Sequence, residues 1–252
     1  MSFATPFASY DFNGYTASAA TLVSSVGGQP DMTVVLPLTN TLQVTPTGKN
    51  LILSSTSCLQ IPSLTNIRSI EIWMTRASLS ASLQTLMEIY VGPGDPNNVL
   101  ISTQGTSTQT NTGAEGGTYY KDTMDDVITS LTNFMNIDMG YLSQLIIVLP
   151  TTITGPVSLF GDRSSANTLN AIVSEVHFYN VALTGYDANR LYNMRCPYRY
   201  GLPMSERFLP RSADYVSRPL IPLAKYDIAT YGLQSANIFN SVDTYGNTSP
   251  AV

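Results

Sequence analysis

The chain of 252 residues is 43% hydrophobic and only 12% charged, and its formal net charge is −5. This apolar content allows a sizeable core and argues against a wholly disordered chain, while the many Ser, Thr, Tyr, Gly and Pro residues disfavour a helical bundle or a coiled coil. No apolar run reaches the roughly 18 residues of a membrane span, and the first residues lack the basic and apolar regions of a secretory signal.

The first 120 residues alternate between short apolar runs and clusters of Gly, Pro, Asn and Ser, a pattern typical of strands joined by turns. Residues 67–74 form the clearest strand because apolar side chains occupy every second position. Its two faces carry Ile70, Ile72 and Met74, and Ser69, Glu71 and Trp73. Further strands are predicted at 32–38, 50–54, 58–61, 83–91 and 98–103. The motif GPGDPN at 92–97 predicts a turn, and 103–118 is predicted to be a loop.

Residues 122–136 break this pattern, because their apolar side chains recur at helical spacing and three Asp residues stand in the first turns. We predict an inserted helix there. A second, short helix is predicted at 185–195, with Thr184 as its N-cap and Asp187 three residues later. The remaining strands are predicted at 142–149, 157–160 and 169–181. Many short strands separated by turns predict an all-β protein, an antiparallel jelly-roll sandwich.

The segment 169–193 (LNAIVSEVHFYNVALTGYDANRLYN) resembles the closing strand and helix of laminin-G-like domains, which belong to the concanavalin A-like sandwiches. The matching positions in it are Glu175, Tyr179-Asn180, Leu183-Thr184 and Leu191-Tyr192. Earlier matches, in the order of that family, are Tyr10-Asp11-Phe12, Gly48-Lys49-Asn50-Leu51, Ile61-Pro62, Ile70-Glu71-Ile72-Trp73 and Leu159-Phe160-Gly161-Asp162. The resemblance implies a laminin-G-like fold with Trp73 in the sandwich core and the helix at 122–136 as an insertion.

Positive charge is concentrated near the end of the chain. Residues 1–189 hold five basic and thirteen acidic residues, whereas residues 190–225 hold seven basic and two acidic ones. Prolines are dense in the same stretch, which prevents a helix and removes sheet donors. We therefore predict a sandwich domain at 1–196 and an extended Arg/Pro/Tyr-rich arm at 197–252, which docks onto neighbouring subunits because Arg and Tyr are enriched in interfaces. The candidate docking residues are Arg195, Arg199, Arg207, Arg211, Arg218, Tyr198, Tyr200 and Tyr215.

Residues suited to catalysis are scarce. Glycosidases of the retaining type need two carboxylates roughly 5 Å apart, but Glu71, Glu88 and Glu175 are single acids on separate predicted strands. The only histidine, His177, stands in a strand without the Ser or Cys spacing that marks a nucleophile. We therefore predict a protein that is not an enzyme and has no catalytic residues.

Three loops, 92–98, 103–118 and 161–168, are rich in the Asn, Asp and Gly residues that bind calcium or a glycan. The candidate residues in them are Asp95, Asn97, Asn98, Asp162 and Asn167. Because the loops hold no acidic cluster, we expect no cofactor and no metal, and leave calcium open. Cys58 and Cys196 have no metal-binding spacing; we expect reduced thiols and leave a bridge between them open.

The chain resembles a minor capsid or capsid-surface protein in its composition and organisation. It has low charge, many Ser, Thr and Tyr residues, and a predicted docking arm on a β-sandwich. We therefore predict a structural component of a virus particle whose partners are other capsid subunits, located in the virion or alternatively in the cytoplasm. The alternative function is a carbohydrate-binding, lectin-like attachment module. Seven bases among 36 residues form a modest positive charge, so no nucleic-acid partner is expected.

Overall fold

The computed structural model describes residues 4–195, except 17–18, 37–39, 46–47, 55, 79, 106, 112, 122–133 and 136–141, and three short strands beyond residue 210. The chain divides into two compact units, Met1–Leu209 and Pro210–Val252. The predicted helix at 122–136 lies outside the described residues, apart from Phe134 and Met135, which are both buried. None of the helices in the described part of the chain is long and apolar enough to cross a membrane.

The described part of the first unit is built from antiparallel strands and one α-helix, which confirms the predicted all-β sandwich. The strands are β1 (Ala8–Asp11), β2 (Thr21–Leu22), β3 (Met32–Val34), β4 (Thr41–Thr45), β5 (Gly48–Leu53), β6 (Leu59–Arg76), β7 (Gln84–Ile89), β8 (Val99–Gln104), β9 (Ser107–Thr110), β10 (Thr118–Lys121), β11 (Ser143–Leu159) and β12 (Ala171–Tyr179). The helix is α1 (Gly185–Arg195), and a single 3-10 turn covers Phe12–Gly14. Strand β9 lies within 103–118, where the sequence predicted only a loop.

Two long strands, β6 and β11, run through both layers of the sandwich. The beginning of β6 pairs with β3 and with the end of β11, which also pairs with β7. The later part of β6 pairs with β12 and with the beginning of β11. The front layer is therefore β2-β3-β6-β11-β7-β8-β9. The back layer is β4-β5-β12-β6-β11-β10, with β1 also beside β12.

Each long strand bends where it passes between the layers. In β6, Asn66 has a φ of 58°, and the pairing of β11 shifts between Val148 and Ile153. The sequence predicted separate strands at 58–61 and 67–74, and at 142–149 and 157–160. The structure joins each pair into one strand, because the polar and proline residues between them form bends within a continuous strand.

The main core fills the space between the layers. Ile70, Ile72 and Met74 are fully buried in it, as their alternation predicts. Ile70 stands beside Phe178, and Ile72 stands beside Val176, on the adjacent strand β12. These side chains are therefore neighbours within one layer of the sandwich.

The outer face of the back layer is covered by α1, the helix that the sequence predicts with these bounds. The backbone N–H of Asp187 donates to Thr184 Oγ1 over 3.2 Å, and the Thr184 N–H donates back to the Asp187 carboxylate over 2.9 Å, which confirms the predicted cap. Trp73 is buried on this outer face, stacked on Tyr192 of α1 with ring centroids 5.7 Å apart. The resemblance implied that Trp73 lies in the core between the layers, and the structure shows that this expectation is wrong.

The second unit contains three short antiparallel strands, β13 (Lys225–Tyr226), β14 (Asn240–Val242) and β15 (Thr248–Pro250). They lie in the segment that the sequence predicts to be an extended arm. Strand β14 pairs with both of the others. The predicted domain boundary at residue 196 falls in a stretch outside the described residues.

Candidate functional site

A row of polar side chains crosses four adjacent strands of the front layer. Thr33 on β3 pairs with Gln60 on β6, Gln60 pairs with Ser158 on β11, and Ser158 pairs with Glu88 on β7. Directly paired residues point to the same face of a sheet. The alternate residues on these strands are buried in the core, so the row, which we call the polar row, lies on the outer face.

An open groove of about 270 Å³ runs along part of the polar row. Thr33 and Gln60, which are half-buried, and Ser158, which is only 6% exposed, supply its polar lining, and Pro62 and Pro156 are exposed along it. The groove therefore offers hydroxyl and amide groups between two apolar ring surfaces. Arg163, from the loop at 161–168, also lines it.

Arg163 is placed by contacts with β7 and β6. Its guanidinium carbon lies 3.6 Å from the ring centroid of Tyr90, a cation–π geometry. Its backbone N–H donates to Glu88 Oε2 over 2.7 Å, and its carbonyl oxygen accepts from Gln60 Nε2 over 3.2 Å. The Arg163 side chain stays 56% exposed. The loop thus presents a positive, donor-rich group at one end of the polar row.

A glycine allows the close approach of β7 and β11 beside this site. A Cβ atom added at Gly155 would lie 2.4 Å from the Tyr90 carbonyl oxygen. The Tyr90 N–H donates to the Pro156 carbonyl over 3.1 Å. A larger residue at 155 would push Tyr90, and with it the surface on which Arg163 rests, away from the groove.

Asp162 determines the shape of the loop that carries Arg163. Its carboxylate accepts hydrogen bonds from the Ser164 N–H and hydroxyl, from the Ala166 N–H and from Asn167 Nδ2. Burial raises the pKa of Asp162, but these hydrogen bonds outweigh that effect and hold the pKa below its ordinary value. Asp162 and Asn167, predicted as glycan or calcium residues, therefore stabilise the loop, and Arg163 between them is the residue that reaches the groove.

The other predicted loop is also closed by its own side chains. Asp95 accepts from the backbone N–H of Asn97 over 2.8 Å and from its side-chain amide. Asn98 accepts from Val91 and donates to the Gly92 carbonyl over 2.7 Å. In the part of the chain that the structure describes, no three His, Cys, Asp or Glu residues gather as metal ligands. The expectation that no metal is bound stays a prediction.

The only histidine is held in a chain of hydrogen bonds. His177 Nδ1 lies 2.8 Å from Ser9 Oγ, and Nε2 lies 2.8 Å from Glu175 Oε2. A Ser–His–carboxylate chain is also the arrangement of serine hydrolases. Here, however, Ser9 stands within β1 at 7% exposure, and its N–H donates to Ser24 Oγ rather than facing a substrate oxygen. These hydrogen bonds join β1 to β12. The spacing of residues in the sequence does not reveal the contact, because Ser9 and His177 are 168 residues apart.

Glu71 is the centre of a second buried cluster, beneath α1. Its carboxylate accepts from Trp73 Nε1 over 3.0 Å, from Gln144 Nε2 over 2.8 Å and from the Tyr179 hydroxyl over 2.6 Å. The guanidinium of Arg195 completes the cluster. Burial by itself would raise the pKa of Glu71, but the charge of Arg195 and these hydrogen bonds hold it below its ordinary value. The cluster attaches the last residue of α1 to the sheet.

Of the predicted docking residues, the structure describes only Arg195. Its side chain is 18% exposed and pairs with Glu71 within the sandwich itself. The others, at 198, 199, 200, 207, 211, 215 and 218, lie outside the described residues. Cys58 is a buried free thiol, and burial raises its pKa; Cys196 lies outside the described residues.

Comparison with known proteins assigns no family: no protein-family model matches the chain, and no curated protein matches it. Among solved structures, the chain is similar to domain 4 of AbnA, a GH43 arabinanase from Geobacillus stearothermophilus, in complex with arabinotriose. The two are 16% identical, the match covers 74% of this chain and 97% of that one, and the TM-score is 0.39. It is also similar to a sialidase of Trypanosoma rangeli, at 12% identity over 71% of this chain, with a TM-score of 0.46. That match spans 31% of the sialidase chain. These likenesses are too distant to assign a function.

Proposed function

We propose that the sandwich is a non-enzymatic, carbohydrate-binding module whose site is the groove along the polar row. The observation that carries this proposal is the register that aligns Thr33, Gln60 and Ser158 on one face of the sheet. Sugar hydroxyls both donate and accept hydrogen bonds, so they match a row that alternates hydroxyl and amide groups. Pro62 and Pro156 supply apolar surface for the C–H faces of a sugar ring.

The size and charge of the groove favour a short, uncharged glycan segment. Its volume of about 270 Å³ lies just below the range of typical ligand sites, which is roughly 300–1,000 Å³. Arg163 is the positive group of the groove, and Glu88 and the neighbouring Asp162 balance its charge. An anionic sugar would therefore gain little net attraction there.

The test is a glycan-array screen of the full chain, followed by calorimetric titration with the sugars that bind. Gln60→Ala removes a hydrogen-bonding group of the polar row, and we expect up to about a tenfold loss of affinity, since a net hydrogen bond is worth roughly 0.5–1.5 kcal/mol. Gln104→Ala is the matched control, because Gln104 ends β8 in the same layer and bonds to the Ala81 carbonyl. Absence of any bound sugar, or equal effects of the two substitutions, would contradict the proposal.

We propose as a second function that the chain is a structural component of a virus particle, a minor capsid or capsid-surface protein that docks through 197–252. The specific support is the charge distribution: residues 197–252 hold five of the twelve basic residues, four of them Arg, whereas residues 1–189 carry a net charge of −8 from five bases and thirteen acids. Arg side chains on a docking segment can form bidentate pairs with carboxylates of a neighbouring subunit. Binding of a glycan and assembly into a particle are compatible with each other.

A further inference from the structure

Strand β4 ends the back layer with an unpaired edge. Among the residues that the structure describes, β4 pairs with β5 alone. An edge strand presents N–H and C=O groups that can pair with a strand of another chain, and natural proteins usually protect such edges with charged residues or proline. The five residues of β4, TLQVT, include neither. In the described part of the chain, this edge therefore has its backbone groups available for strand addition.

The sequence of β4 is symmetric about its middle residue. Reading outward from Gln43, the neighbours are Leu42 and Val44, and then Thr41 and Thr45. If two copies of β4 pair antiparallel about a two-fold axis at Gln43, each Thr stands opposite a Thr and each Leu42 stands opposite a Val44. The two Leu42–Val44 pairs would bury apolar surface of both strands. The strand is thus complementary to a second copy of itself.

The exposure of Val44 agrees with this pairing. Val44 is 76% exposed, although Leu42 on the same face of the strand packs against the main core. Leu42 pairs with Leu51 of β5, which pairs with Val173 of β12, so an apolar row of the inner face reaches the edge of the layer. In a second copy, Val44 would stand next in this row. Pairing would cover the exposed valine of each copy and extend the two back layers into one sheet.

We propose that two copies of this chain associate through antiparallel pairing of β4 with β4, with Gln43 on the two-fold axis. A two-fold contact of this kind uses the same surface on both partners and closes without forming a filament. A strand of five residues buries less area than the roughly 1,200–2,000 Å² of a stable interface. The dimer is therefore weak in dilute solution and populated at high protein concentration, as on a crowded surface.

The test uses the symmetry of position 43. Sedimentation equilibrium of the full chain, from micromolar to near-millimolar concentration, should show a monomer–dimer equilibrium. Gln43→Lys and Gln43→Glu each place like charges directly opposite each other, and each should weaken the dimer about tenfold or more at low salt. An equimolar mixture of the two variants should restore association, because only then do opposite charges meet at the axis. Gln43 is exposed, and its Oε1 accepts from Asn50 Nδ2 over 3.3 Å. Gln43→Glu keeps an acceptor for Asn50 and Gln43→Lys does not, so thermal unfolding of both variants checks that each keeps the fold.

Val23→Lys is the matched control, since Val23 is another exposed valine, at 68%, outside β4. It should leave the dimer unchanged. Hydrogen exchange of the β4 amides should slow with rising concentration in the wild type and in the mixture, and not in either single variant. A chain that stays monomeric, a dimer insensitive to Gln43→Lys, a mixture that does not associate, or equal weakening by Val23→Lys would each overturn the proposal.

Discussion

Arg195, the last residue of α1, forms an ion pair with Glu71, a fully buried residue in β6 that lies 124 positions earlier in the chain. The Tyr179 hydroxyl touches both partners. A buried carboxylate is tolerated only when a counter-charge and several hydrogen bonds replace water. The pair therefore holds the end of α1 against the outer face of the back layer.

We expect Glu71→Gln to destabilise the sandwich strongly, because Arg195 would keep a mostly buried positive charge without its partner. Breaking such a pair costs about 3 kcal/mol or more, which corresponds to a fall of about 6–12 °C in melting temperature. Thermal unfolding followed by the fluorescence of Trp73, the only tryptophan, measures it. Glu88→Gln is the control, because its partner Arg163 is 56% exposed and an exposed pair is worth at most about 1 kcal/mol. Equal losses in the two variants would contradict this role of Glu71.

The Glu71 carboxylate also makes the free energy of unfolding depend on pH. The pKa of Glu71 in the folded chain lies below its ordinary value of 4.5. Its contribution is thus complete above about pH 4.5 and is lost as the pH falls through the folded pKa. We expect the difference in melting temperature between wild type and Glu71→Gln to shrink as the pH is lowered from neutral to about pH 3. A difference that stays constant over this range would show that the Glu71 charge does not stabilise the fold.

We expect a calcium chelator to leave the melting temperature unchanged. The carboxylate oxygens of Asp162 already accept N–H and O–H donors from their own loop, and a cation would have to displace these. Asp95 likewise accepts from Asn97. A ligand that binds only the folded state raises its stability, so a loss of several degrees that calcium reverses would establish a calcium site.

Truncation after Cys196 tests the docking function. Asn193 is the last buried residue in the part of the sandwich that the structure describes, and Arg195 is retained, so we expect the shortened chain to unfold cooperatively near the melting temperature of the full chain. It should no longer join its native assembly, because the Arg/Tyr-rich segment is missing. Normal incorporation, or a shortened chain that does not fold, would contradict the prediction that 197–252 is a docking segment.

Part of the candidate site was predictable from the sequence. The loop at 161–168 was recognised from its Asn, Asp and Gly residues, and Asp162 and Asn167 do belong to it. Arg163 was missed, since an isolated Arg in a loop carries no pattern; its position between those two residues was the available signal. The polar row could not be predicted at all, because Thr33, Gln60 and Ser158 become neighbours only through strand pairing.

Local features were determined by the sequence alone. The alternation of Ile70, Ile72 and Met74 defines a strand with one buried face, and the spacing of Thr184 and Asp187 defines the start of α1, because both depend on contacts within a few residues. Tertiary structure decided which outward-facing residues meet. The sequence could not show that Glu71 pairs with Arg195, or that Ser9 meets His177, since a single strand register, set by the packing of the whole core, brings these distant residues together.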